Sequence, residues 1–82
     1  MFCPDHLKGR VMRKMVEAAD GLPIETTEGV KIFKDGGWVM VMPHAQKPEC
    51  RVVAEGYSQE FAQELTADFS QKIQAIQKHN VD

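Results

Sequence analysis

Val30-Lys31-Ile32-Phe33-Lys34-Asp35-Gly36-Gly37-Trp38-Val39-Met40-Val41-Met42 holds two β-rich runs divided by Asp-Gly-Gly. Asp-Gly between such runs is the strongest short hairpin signal, because glycine takes the left-handed backbone that a tight turn demands. With Asp35 and Gly36 as the turn, Lys34 faces Gly37, Phe33 faces Trp38, Ile32 faces Val39, Lys31 faces Met40 and Val30 faces Val41. Facing residues share a side of the sheet. One side therefore carries Val30, Ile32, Val39 and Val41, an aliphatic set suited to lie under helices. The other carries Lys31, Phe33, Trp38, Met40 and Met42, so neither side is polar.

Upstream of the hairpin, Leu7, Val11, Met12, Met15, Val16 and Ala19 recur at spacings of three and four, the pattern of an amphipathic helix, with Asp5 as its expected cap. Gly9 inside it costs roughly 1 kcal/mol relative to alanine and is held by close packing or a ligand, or simply tolerated. Gly21 and Pro23 end the helix near Asp20. Ile24 to Thr27 is a short β-branched strand, broken by Gly29. Downstream, Pro43 to Cys50 is a loop bounded by prolines and excluded from sheet interior, followed by a strand from Arg51 to Glu55. Ser58 caps a last helix of about five turns, on which Phe61, Leu65, Phe69, Ile73 and Ile76 form a stripe. Residues 79–82 are expected to fray. The order helix, four strands, helix predicts an α+β domain: a four-stranded, mainly antiparallel sheet with two helices on one face. Residues 1–82 are read as a single domain.

Eighty-two residues exclude a two-lobed enzyme. Ten Lys and Arg against twelve Asp and Glu give a net charge of −2, so no global field draws in polyanions. The densest basic run, Lys8, Arg10, Arg13 and Lys14, spreads around a helix rather than lining a groove, which speaks against nucleic acid as a partner. No apolar run reaches the roughly 18 residues of a membrane span, and nothing at the start reads as a secretory signal. A cytoplasmic setting with free thiols at Cys3 and Cys50 is expected. Cys3, His6, His44 and Cys50 make a weak zinc set, because the second pair lacks tight ligand spacing.

No nucleophile elbow, zinc-protease helix, Walker loop or dinucleotide turn is present, so no catalytic residue is assigned. Glu60, Glu64 and Asp68, four apart, read as a solvated helix face. The stretch Met42-Pro43-His44-Ala45-Gln46-Lys47-Pro48 is where polar donors converge. His44, Lys47, backbone N–H groups and Arg51 suit an anion, since concave turns favour negative charge. The alternative is a proline-stiffened surface turn whose Lys and His face water.

Gly29-Val30-Lys31-Ile32-Phe33, Asp35-Gly36-Gly37-Trp38-Val39-Met40-Val41, Pro43, Pro48, Arg51-Val52-Val53-Ala54-Glu55-Gly56 and the closing helix resemble, in their succession, the C-terminal domain of the α-D-phosphohexomutase superfamily, the phosphomannomutases and phosphoglucomutases. The resemblance implies a four-stranded sheet with two helices and a phosphate-gripping loop, typically Arg-x-Ser-Gly-Thr-Glu-Pro before a strand that opens with Arg. Here Met42 stands for the arginine, His44 for the serine, Ala45 for the glycine, Gln46 for the threonine and Lys47 for the glutamate, while Pro48 and Arg51 match. Loss of the arginine removes a bidentate donor, and alanine for glycine restricts close backbone approach. The loop is thus degenerate, with His44, Gln46, Lys47 and Arg51 as its candidate phosphate-binding residues. Cys3-Pro4, Lys8-Gly9 and Val11-Met12-Arg13 further resemble a segment of bacterial proteins that fuse a sugar-phosphate nucleotidyltransferase, often a mannose-1-phosphate guanylyltransferase, to a phosphohexomutase-like region.

The resemblance implies a domain of a longer sugar-phosphate enzyme, noncatalytic alone, whose partners are the other domains of its polypeptide and a sugar phosphate. Nucleophile and Mg in that family belong to another domain, and no cofactor is expected in this one. Phe33, Trp38, Met40 and Met42 are the candidate interface, since an exposed apolar patch marks a contact. A different class of function uses the same patch: a free-standing interaction module that homodimerises through it.

Overall fold

The computed structural model describes residues 1–78, in the order α1 (Asp5–Ala19), β1 (Ile24–Glu25), β2 (Val30–Lys34), β3 (Gly37–Pro43), β4 (Cys50–Gly56), α2 (Gln59–Lys78). The expected fraying of residues 79–82 lies outside the described residues. The four strands form one antiparallel sheet in the order β1-β2-β3-β4, so the architecture is the expected α+β one. The hairpin register is residue for residue the one read from Asp35-Gly36, from Lys34↔Gly37 to Val30↔Val41. Gly36 has φ 91°, the left-handed conformation that a side chain strains to adopt.

Val30, Ile32, Val39 and Val41 are buried in one cluster with Val11, Met15 and Ala19 of α1 and Leu65, Phe69 and Ile73 of α2. Both helices therefore cover the aliphatic side of the sheet. Each of these side chains other than Ala19 contributes about 1.5–3 kcal/mol on burial, which is how so short a chain holds together. Ser58 Oγ accepts the Phe61 N–H at 3.1 Å, the cap expected for α2.

Three expectations need correction, and the alternatives left open at Gly9 narrow to one. Asp5 is not the cap of α1: Pro4 occupies that position without a side-chain cap, and the Asp5 carboxylate instead pairs with Lys8 Nζ at 2.6 Å inside the first turn. Gly9 is exposed, and a Cβ there would meet only the Arg13 guanidinium at 3.8 Å, so it is tolerated rather than required. β1 stops at Glu25 instead of Thr27. Pro43 and Cys50, placed outside the sheet by the proline argument, are ladder partners at the end of β3 and β4. The His44 N–H donates to the Glu49 carbonyl at 2.9 Å, so by alternation Pro43 presents its nitrogen to the β2 side. There β2 has already ended, at Val30 opposite Val41, and a missing N–H costs nothing.

The sequence reading places no element on residues 1–3. They lie antiparallel to residues 48–50: Cys3 N–H donates to the Pro48 carbonyl at 2.8 Å and Cys50 N–H to the Met1 carbonyl at 2.9 Å. The Met1 ammonium adds a hydrogen bond to the Cys50 carbonyl at 2.8 Å.

Candidate functional site

β3 and β4 diverge after Pro43 and rejoin at Cys50, and the chain between them is bent by His44 rather than by glycine. The His44 Nδ1 accepts the backbone N–H of Gln46 at 3.0 Å and of Lys47 at 3.1 Å. Accepting there assigns the proton of the neutral ring to Nε2. From α1, Lys8 Nζ donates to the His44 carbonyl at 2.5 Å and to the Lys47 carbonyl at 2.6 Å, while holding Asp5. The Lys47 carbonyl also accepts the Glu49 N–H at 2.7 Å. The loop's carbonyls thus face a lysine and two of its N–H groups face an imidazole.

Beside this loop is a cleft of about 640 Å³ lined by Met1, Met42, Pro43, His44, Ala45, Glu49, Cys50 and Arg51. It brings His44 and Arg51 of the candidate set together. Gln46 and Lys47 do not line it; their main chain shapes the loop instead. Met42, at the position where the resemblance expects arginine, is paired with Arg51 across the ladder, so the cation stands one strand over. Glu49 brings a carboxylate that opposes an anion.

Cys3 and Cys50 are free, fully buried thiols of the core cluster. Burial first, and the neighbouring Cys3 second, push the Cys50 thiol up to about 11. The zinc set does not assemble: His6 is exposed on α1, His44 is turned onto its own loop, and no group of three such ligands occurs among the described residues.

On the opposite side of the sheet, Lys31, Phe33, Trp38, Met40, Met42 and Val53 are half-buried by one another, whereas both helices pack on the aliphatic side. Lys31 Nζ lies 4.2 Å from the Trp38 ring centroid and 5.1 Å from that of Phe33, a cation over two aromatic faces. Among the described residues no helix is long and apolar enough to cross a membrane.

Lys8, Glu49 and the Met1–Cys3 segment are the parts that sequence reasoning missed. Lys8 was read as one of four spread basic residues and as part of the Lys8-Gly9 resemblance, not as a loop anchor; its spacing of three from Asp5 was the available hint.

Over 71 residues the chain is 42% identical to a probable phosphoglucosamine mutase of Methanopyrus kandleri, an alignment covering 82% of this chain and 15% of that protein. Its homologues are phosphoglucosamine mutase and phosphoglucomutase family members. A phosphoglucomutase/phosphomannomutase of Thermococcus kodakarensis is 38% identical over 64 residues, 72% of this chain and 14% of that protein. A phosphopentomutase of the same organism is 31% identical over 72 residues, 79% of this chain and 16% of that protein. The chain thus spans about 15% of the length of the curated mutases it matches. No protein-family model matches it.

Proposed function

We propose that this chain is the C-terminal, phosphate-side domain of a phosphohexomutase-like sugar-phosphate protein, with a degenerate loop at residues 42–48. Its role is packing and closure over substrate, or weak sugar-phosphate contact, and the titration below decides between them. The nucleophile and the magnesium ion are assigned to other domains of the parent polypeptide. The observation that carries this reading is the state of the loop: Met42 stands in the arginine position, and the N–H groups of Gln46 and Lys47 are spent on His44. Backbone donors committed to an internal acceptor grip no phosphate. The N-terminal resemblance supports the narrower reading that the parent also carries a sugar-phosphate nucleotidyltransferase; the reading frame upstream of Met1 tests that part.

Titration of the labelled chain with mannose 1-phosphate or glucose 1-phosphate at pH 7.5, followed through the amides of residues 44–47, tests the main reading. Millimolar ligand is expected to leave them unmoved. Micromolar binding would overturn the degenerate loop.

The uncovered face with Phe33, Trp38, Met40 and Met42 favours one second reading, a module that homodimerises there. Sedimentation of the isolated chain separates the two, since a tight dimer that buries Trp38 supports the module.

A further inference from the structure

We infer that His44 is a built-in gate on an oxyanion cradle: its neutral ring occupies the loop's N–H pair, and protonation of the ring opens the pair to a divalent oxyanion. The inference rests on the reading of residues 42–48 as an oxyanion-facing loop, and goes beyond it by naming what closes the loop and what reopens it.

The geometry supplies each step. Two consecutive backbone N–H groups, those of Gln46 and Lys47, converge on one atom, His44 Nδ1, at 3.0 and 3.1 Å. Convergent N–H groups of this kind form an anion nest, and here an uncharged ring nitrogen fills it. Once Nδ1 binds a proton it becomes a donor and faces two other donors. The ring must then turn away, and the nest is left without an acceptor. Lys8 keeps the loop from collapsing in that state, because its bonds to the His44 and Lys47 carbonyls do not involve the ring.

The charges around His44 set the sign. Lys8 of α1, paired with Asp5, stands on its carbonyl side, and Lys47 belongs to the loop. Met1, Arg51 and Glu49 line the cleft, with the Met1 ammonium held on the Cys50 carbonyl at 2.8 Å, and the Cys50 thiol is buried beside it. A protonated His44 adds one more positive charge beside the freed N–H pair. Acid therefore favours anion entry twice over.

Sulfate is the probe, because its charge is the same at pH 5.5 and 7.5 and any pH dependence then belongs to the protein. In the labelled full chain, sulfate affinity is expected to rise at least tenfold from pH 7.5 to pH 5.5, read at the Gln46 and Lys47 amides. His44→Ala is expected to bind sulfate equally at both pH values and more tightly than the parent does at 7.5. His44→Asn keeps an uncharged acceptor at all pH and is expected to bind weakly at both. Glu49→Gln is expected to keep the parent's pH dependence, which sets aside the carboxylate's own titration. Equal sulfate affinity of the parent chain at the two pH values, with binding intact, overturns the gate and leaves the loop reading standing. No sulfate binding in the parent or in either His44 variant at any pH overturns the gate as well, and agrees with the degenerate loop, which micromolar sugar-phosphate binding at pH 7.5 would overturn.

Discussion

Lys8 joins helix to loop through one ammonium group that serves two carbonyls and a carboxylate. A hydrogen bond to a charged donor contributes about 1.5–3 kcal/mol, less where solvent reaches it. Lys8→Met is expected to lower stability by about 1 kcal/mol and to speed amide hydrogen exchange at Gln46 and Lys47 several-fold. Gly9 points the other way: with open space for a Cβ on an exposed helix, Gly9→Ala is expected to raise stability by about 1 kcal/mol in urea unfolding. Cys50 predicts a pH dependence with a definite sign. Its folded-state value of about 11 lies above the ordinary thiol value, so the folded state holds the proton longer than the unfolded chain. That stability is complete below pH 9 and is lost as pH rises towards 11; Cys50→Ala should flatten this part of the curve. The cost of Gly9 was legible beforehand, whereas the roles of Lys8 and Cys50 were not. A lysine's reach and a thiol's neighbour are tertiary facts with no period in the chain.

The β2–β3 hairpin was legible down to register, because Asp35-Gly36 pins the turn and period two does the rest. Gly36→Ala forces a side chain into φ 91° against the Tyr57 ring and is expected to cost about 1–2 kcal/mol, seen as a lower denaturation midpoint. The stripe on α2 was equally readable, and Phe69, fully buried under the sheet, is its centre. Phe69→Ala is expected to cost about 3–5 kcal/mol and to leave the chain partly unfolded by circular dichroism. Where sequence reading failed, it applied a rule without its neighbour. Proline was barred from the ladder, yet Pro43 sits where β2 no longer runs and no N–H is wanted. Met1–Cys3 is too short to carry a pattern, and its pairing with residues 48–50 comes from the loop's far side rather than from propensity.

For the molecule as a whole, the family resemblance drawn from Gly29 onward was readable because hairpin, loop, strand and helix keep their order, and the mutase homologues agree with it. The chemistry of the loop was only half readable. Substituted side chains announce a lost grip, but not the imidazole that took up the donors. Restoring the missing pieces tests this: Met42→Arg with Ala45→Gly is expected to raise sugar-phosphate affinity at least tenfold in calorimetric titration if the loop keeps its backbone path.

The pairing of Met1–Cys3 with residues 48–50 also bears on solubility. β4 is one of the two edge strands, and this short segment shields only its beginning, leaving Val52 to Ala54 guarded by the flanking charges of Arg51 and Glu55. Trimming those three residues would extend a naked margin of unsatisfied main chain. Light scattering of the trimmed chain on warming should then rise earlier than for the intact one, through strand-to-strand growth between molecules.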